Sequence, residues 1–364
     1  MTCIFHNREV IQENDWVIVY VTPEDTRCMQ VTKDAICHCR LGSFRLADAI
    51  GKSFGCTLTP ITPSSNNLNS SSNTKHASSD HSTAKRIALL RPTPELWTAS
   101  LSHRTQILYP ADAAFIIGML GIGPGSRVLE SGTGSGSMTH WLAAAVMPEG
   151  HVESWEAHPI RCKLAQQDII RHGLQNVVSV RYGKAYGENE GMLPSMASHE
   201  QDIPETFLST ESSSSASVGD QSNGDENGSI SGEQSEECPL VGFDTAIEAE
   251  SLDAVFLDLP KPWLSLPAVM AALKKGVGRV CCFSPCIEQI QSSLSVMETM
   301  RMLDISLHEI NLRPWELVKG HANNYRRLDS NGTNNNGNSS ELECLRMASM
   351  IRSHTSYLLF GRKG

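Results

Sequence analysis

Arg127-Val-Leu-Glu-Ser-Gly-Thr-Gly-Ser-Gly-Ser-Met138 reads as a short buried strand that runs into a glycine-rich turn and opens a helix. That order is the start of a βα unit built to hold a nucleotide-type cofactor. Gly132, Gly134 and Gly136 carry no Cβ, so the backbone can turn tightly and approach a ligand closely, while the N–H groups opening the helix at about 137 to 146 face it. A dinucleotide fold would show G-x-G-x-x-G. Here the spacing is G-x-G-x-G and Gly132 follows an acid and a serine, which weakens the dinucleotide reading. The next apolar strand, Val152 to Trp155, ends on Glu156, where Rossmann-like sheets place a carboxylate that accepts hydrogen bonds from ribose hydroxyls.

Outward from this unit, apolar strands near 127 to 130, 152 to 156, 177 to 181, 253 to 257 and 279 to 283 alternate with helical patterns near 137 to 146, 159 to 172, 264 to 274 and 287 to 301. Alternating βα units predict a parallel sheet covered on both faces. Before them, residues from about Val10 to Thr59 alternate apolar and polar positions between turn residues, the pattern of a small antiparallel sheet or barrel. The expected organisation is a small N-terminal β domain over 1–61 and an α/β domain over 86–364. Three inserts interrupt the chain, at 62–85, 187–247 and 328–341. Their Ser, Asn and acidic composition buries too little apolar surface to offset the entropy of ordering, so flexible loops are expected.

The chain of 364 residues is 40% hydrophobic, enough for a sizeable core, and has no apolar run of the ~20 residues that a bilayer span needs. No charged segment leads into an apolar signal core at the N-terminus, so a nucleocytoplasmic protein, resident in the nucleus, is expected. Eleven cysteines are scattered rather than framed in pairs, and reduced thiols are expected. Neither Cys37-His-Cys39 nor Cys281-Cys282-Phe-Ser-Pro-Cys286 has the paired spacing of a structural zinc site, so no metal is expected. Cys281 and Cys282 read instead as small buried hydrophobes. The formal charge of −10 argues at first against a nucleic-acid substrate, but residues 187 to 250 hold fifteen Asp or Glu and no Lys or Arg, which leaves +5 on the rest. That surplus is modest for holding an RNA, so much of the phosphate-binding surface is expected on a partner.

Phe256-Leu-Asp-Leu-Pro-Lys-Pro-Trp263, a strand ending in an acid followed by prolines and an aromatic, resembles the active-site motif of methyltransferases acting on nucleobase nitrogens. Taken with His103-Arg-Thr-Gln-Ile-Leu-Tyr109, Glu130-Ser-Gly-Thr-Gly-Ser-Gly-Ser137, Phe283-Ser-Pro-Cys-Ile-Glu-Gln289 and His354-Thr-Ser-Tyr357, it makes the chain resemble one family, the catalytic subunits of tRNA (adenine-58-N1) methyltransferase. The resemblance covers about Val10 to Lys363 apart from the inserts. It implies a class I methyltransferase fold, Rossmann-like and seven-stranded, in which strands near 304 to 311 and 355 to 361 complete the sheet. It also implies S-adenosyl-L-methionine as cofactor, tRNA as substrate, and a related non-catalytic RNA-binding subunit that completes a heterotetramer of two catalytic and two non-catalytic chains. Long Ser/Asn-rich loops favour the eukaryotic, fungal type.

Methyl transfer from a sulfonium needs an in-line nucleophile held close and correctly aimed. Adenine N1 has its own lone pair, but attack makes the ring cationic, and a carboxylate at the exocyclic amine would stabilise that charge. Asp258 is the catalytic candidate; a strand-end acid capping the turn before Pro260 is the bland alternative. By the resemblance, Gly132, Gly134, Gly136, Ser135, Ser137 and Met138 line the methionine half of the cofactor, with Glu130 and Ser131 at the strand end beneath it. Glu156 binds the ribose, Arg161 supports that site, and Gln106 with Leu108 closes over the cofactor. Tyr109, Trp263 and His354 are expected at the target base. One departure stands out: Tyr182-Gly-Lys-Ala185 replaces the family's acid at the cofactor's adenine amine, and Lys184 cannot accept that hydrogen bond. Backbone groups at Lys184 and Ala185, or an acid from the second insert, are the alternatives. The T-loop adenine must also be flipped out of tRNA tertiary structure, which costs a few kcal/mol and calls for a large basic platform. A related methyltransferase on another adenine or a T-loop-like mRNA site, the non-catalytic subunit, and an NAD-dependent oxidoreductase are competing readings; the intact glycine turn and Asp258 argue against the non-catalytic one.

Overall fold

The computed structural model describes residues 3–61, 85–101, 105–185, 247–313, 315–321, 341–347 and 356–364. The N-terminal part holds β1 (Trp16–Thr22), β2 (Asp25–Gln30), β3 (Ile36–Cys39), β4 (Gly42–Arg45), β5 (Thr57–Leu58) and β6 (Ile87–Leu90). Its main sheet runs β2-β1-β6-β5, with β3 and β4 as a separate antiparallel pair. β6 comes from beyond residues 62–84, yet it pairs with both β1 and β5. The small domain expected to end at 61 therefore takes one strand from 87–90. The reason is burial: Ile87 and Leu89 alternate into the same apolar cluster as Val17, Val19 and Phe44, and four residues of alternation carry no record of which sheet they join.

The second part contains α1 (Pro94–Ser100), α2 (Pro110–Leu120), β7 (Arg127–Ser131), α3 (Ser137–Val146), β8 (His151–Glu156), α4 (Pro159–Arg171), β9 (Val178–Tyr182), β10 (Ala254–Asp258), α5 (Leu266–Ala272), β11 (Arg279–Ser284), α6 (Ile287–Thr299), β12 (Leu303–Glu309), β13 (Trp315–His321), β14 (Glu341–Met347) and β15 (Tyr357–Arg362). Seven of these strands form one sheet in the order β12-β15-β11-β10-β7-β8-β9. It is parallel from β11 to β9, and β15 enters antiparallel between β11 and β12. This is the class I methyltransferase architecture expected above. Alternate residues of the central strands face opposite cores: Val128, Ala254, Phe256 and Cys281 one way, Leu129, Val255, Leu257 and Cys282 the other. Both cysteines are fully buried, as small hydrophobes would be.

Local signals explain the helix starts. Thr93 accepts a hydrogen bond from the Leu96 N–H at the head of α1, His158 does the same for Arg161 at the head of α4, and Pro94, Pro110 and Pro159 occupy first helical positions that need no donor. α1 and α2 fall in a stretch that the sequence pattern did not assign. α1 is only two turns, and the apolar run of α2 (Ala, Phe, Ile, Ile, Met, Leu) has no polar face to reveal a helical period. The helix expected over 264 to 274 begins instead with a 3-10 turn at Pro262–Leu264 and becomes α-helical only from Leu266. β13 and β14 pair with each other as a separate two-stranded sheet.

The two parts touch around the end of α4. The Ile4 N–H donates to the His172 carbonyl at 2.8 Å, and the Trp16 indole N–H donates to the Arg171 carbonyl at 3.0 Å.

Candidate active site

The glycine turn between β7 and α3 is held from three sides. Gly132 N–H donates to the Trp155 carbonyl at 2.9 Å, Gly134 N–H to Glu156 Oε2 at 2.9 Å, and the Ser135 hydroxyl accepts from Thr105 N–H at 3.0 Å. Gly132 has φ +100°, and a Cβ there would lie 2.2 Å from the Asp258 carbonyl oxygen. Only glycine permits that approach. The end of β7 and the end of β10 thus meet where the parallel strands stop, the side of such sheets on which ligands bind.

A cleft of about 610 Å³ opens over these strand ends. One side is formed by the turn (Ser131, Gly132, Gly134), by Trp155, Glu156 and Arg161 at the end of β8 and the start of α4, and by Gly183, Lys184 and Ala185 after β9. Thr105, Gln106, Ile107 and Leu108 cover it, and Asp258, Leu259, Pro260, Phe283, Pro285 and Gln289 form the other side.

Two carboxylates in the cleft, Glu156 and Asp258, and a third buried behind it, Glu130, set its electrostatics. Glu156 is buried, which raises its pKa, but the Arg161 guanidinium at 2.7 Å and the N–H groups of His158 and Gly134 outweigh burial and hold it below the ordinary carboxylate range. It is therefore ionised at neutral pH. Among the described residues Asp258 has no such donors; burial, with the Glu156 charge behind it, pushes its pKa up to about 7. Glu130 is fully buried and also raised to about 7, by burial against the opposing hydrogen bonds of Ser154 and Thr139. A carboxyl poised near neutrality in a cleft, as Asp258 is, marks a functional site.

Of the residues expected at the cofactor, Gln106, Leu108, Ser131, Gly132, Gly134, Glu156, Arg161, Lys184, Ala185 and Asp258 all line the cleft. Ser135, Ser137 and Met138 border a smaller recess shared with Gly132, Gly134 and Asp258. Two expected residues are not brought into the cleft. The Glu130 side chain turns toward the α3 face, where its Oε2 accepts from Thr139 and Ser154 at 2.6 Å each, because alternation along β7 aims it away from Ser131. Gly136 faces the far side of the turn, and its carbonyl lies 2.7 Å from His140 Nδ1. At the expected base position, Tyr109 sits at the head of α2 and is 37% exposed, and Trp263 lies in the 3-10 turn; neither lines the cleft. His354 lies outside the described residues. The wall that sequence reasoning left without a role is Phe283, Pro285 and Gln289. The signal was present, since the Phe283 to Gln289 motif begins in the last residues of β11, the strand next to β10, at the ligand-binding edge of the sheet.

A family model described as "tRNA methyltransferase complex GCD14 subunit" matches residues 85–217 and 227–341. A tRNA (adenine(58)-N(1))-methyltransferase catalytic subunit from Cryptococcus neoformans is 32% identical over 316 residues, covering 86% of this chain and 55% of the relative. The corresponding subunit from Dictyostelium discoideum is 30% identical over 308 residues, covering 85% of this chain and 75% of the relative. The chain thus spans about half the length of the Cryptococcus protein. Among solved structures, a SAM-dependent O-methyltransferase from Thermotoga maritima superposes with TM-score 0.62 at 21% identity over 98% of this chain and 95% of that one. A tRNA (m1A58) methyltransferase from Aquifex aeolicus gives 0.58 at 18% identity over 98% and 99%. These two likenesses establish the shared fold.

Proposed function

The chain belongs to the family of tRNA methyltransferase complex GCD14 subunits, and on that premise we propose that it is the catalytic subunit of a tRNA (adenine-58-N1) methyltransferase using S-adenosyl-L-methionine. The observation that carries this reading is the cleft itself, which joins a glycine turn, an ionised Glu156 and a poised Asp258 along one sheet edge.

The residues fit such a cofactor. The volume falls within the ~300–1,000 Å³ typical of small-molecule sites, and a side chain at Gly132 or Gly134 would collide with Asp258 or Thr105. The turn would take the methionine half, and the spare lone pair of Glu156 Oε2 a ribose hydroxyl. The backbone at Lys184 and Ala185 would meet the adenine; there the Ala185 carbonyl already accepts from the Ser265 hydroxyl at 3.3 Å. When bound, the cofactor supplies a methyl carbon activated by a sulfonium. Asp258 accepts a hydrogen bond from the adenine N6 amine and stabilises the positive charge that develops on the ring as N1 attacks. That developing charge favours the ionised carboxyl, so an acid poised near 7 ionises as it is needed. Gln106 and Leu108, covering the cleft, exclude water from the reacting atoms.

The reading includes a non-catalytic RNA-binding partner in a heterotetramer and residence in the nucleus. A partner is supported by the modest positive charge outside residues 187–250. It is also supported by apolar side chains on β13 and β14: Trp315 is 60% exposed and Leu345 68% exposed on a hairpin, and an isolated hairpin is marginal in water. Imaging of the tagged chain in its own cells tests the localisation. The activity is tested by methyl transfer from labelled S-adenosylmethionine to unmodified tRNA, with the chain alone and with its partner, followed by mapping of the product base. Label at N1 of adenine 58 that requires the partner supports the reading; label elsewhere, or none, overturns it.

A further inference from the structure

Resting on adenine as the target, we propose that Gln289 reads the N6/N7 edge of that base and so sets the enzyme's choice of adenine. Gln289 stands in the first turn of α6 and lines the cleft. Its Nε2 donates to the Pro260 carbonyl at 2.9 Å, and its Oε1 accepts from the Cys286 N–H at 3.3 Å. The side chain therefore bridges the loop after β10, which carries Asp258, and the loop after β11. These bonds also fix which way round the amide lies. The Pro260 carbonyl can only accept and the Cys286 N–H can only donate, so a flipped amide would lose both.

A primary amide has two donor hydrogens and two acceptor lone pairs on its oxygen. One of each is used on the loops, which leaves one N–H and one lone pair on a side chain that borders the ligand space. That is the complement of adenine's outer edge, where N7 accepts and N6 donates, the pairing by which Asn and Gln recognise adenine elsewhere. Guanine offers acceptors at both positions and would set its O6 against the Gln289 oxygen. Because the amide cannot flip without losing its loop contacts, it cannot adapt to guanine. The placement agrees with Asp258: β10 and β11 pair with Asp258 opposite Phe283, and neighbouring strands lie about 4.8 Å apart. A base stacked by Phe283 could then give one N6 hydrogen to Asp258 on the N1 side and the other to Gln289 on the N7 side.

The test uses the chain assembled with its partner subunit and tRNA transcripts carrying adenosine or 7-deazaadenosine at the target position, in which a C–H replaces the N7 acceptor. We expect wild type to favour the adenosine transcript about tenfold in kcat/KM beyond the intrinsic difference between the two bases, the effect of one hydrogen bond. Gln289→Ala, slower on both, should show only the intrinsic difference in N1 basicity between the bases, which is common to both proteins and cancels when the adenosine-to-7-deaza ratio of wild type is divided by that of the variant. Gln289→Glu, isosteric and still able to accept from Cys286, offers N7 no N–H and should show the same ratio as Gln289→Ala. Melting temperature and cofactor Kd establish that each variant is folded. The same adenosine-to-7-deaza ratio in wild type as in the folded variants would show Gln289 to be a loop clamp alone and overturn the proposal. If wild type methylates neither transcript, the adenine reading fails first and this one with it.

Discussion

Asp258→Asn should make the protein more stable at neutral and alkaline pH while removing its activity. In the folded chain the Asp258 carboxyl is pushed from its ordinary 3.8 up to about 7 by burial and the nearby Glu156 charge. Below pH 4 it is protonated whether the chain is folded or not, and it costs nothing. As the pH rises from about 4 to about 7, the unfolded chain ionises freely while the folded carboxyl keeps its proton, so the folded state loses ground; above 7 the full cost is present. A difference of about three pH units corresponds to about 4 kcal/mol, and solvent in the open cleft reduces this to about 2 kcal/mol. Asn carries no charge to bury. At pH 8 the variant should melt about 4–8 °C above wild type, and at pH 5.5 the gap should fall to about half. Glu130 acts in the same direction in both proteins and cancels to first order. Near-UV circular dichroism melts across pH 5.5 to 8, paired with methyl-transfer rates, measure both quantities; the rate should fall at least about a hundredfold. A gap of equal size at the two pH values, or a variant less stable than wild type at pH 8, would refute the assignment of Asp258 as a destabilised, poised acid.

Gly132→Ala forces a Cβ to within 2.2 Å of the Asp258 carbonyl at a φ of +100°; left-handed strain and overpacking together should cost about 3 kcal/mol and weaken cofactor binding at least tenfold, read by melting and calorimetry. Arg161→Ala removes the strongest of the groups that hold Glu156 ionised, so cofactor Kd should rise about tenfold, and its rise on acidification should begin at a higher pH than in wild type; a Kd independent of this change would detach Glu156 from the cofactor. Leu345→Asp places a charge on an exposed apolar position of β14, and should abolish co-purification with the partner subunit while leaving the melting temperature of the isolated chain within about 1 °C.

What was legible in the sequence is what short-range pattern encodes. The glycine turn, Glu156 at one strand end and Asp258 at another follow from alternation and turn chemistry within a dozen residues, and the sheet's strands fall within a few residues of their expected places. The strand order beyond simple alternation came from the resemblance, since β15 enters antiparallel between β11 and β12 without any local mark. Other features depend on groups far apart in the chain. The β6 strand joins a sheet whose other members lie before residue 59. Gly132 must be glycine because of a carbonyl at Asp258, and Gln289 bridges to Pro260 from the next βα unit. The direction in which Glu130 points, and the poise of Asp258 near neutrality, come from the burial that packing imposes. The amino-acid sequence determined which chemistry-bearing residues stand at which strand ends, because backbone periodicity is local. Only the tertiary structure decided which of them share one cleft and in what charge state, because distance and desolvation are properties of the packed chain.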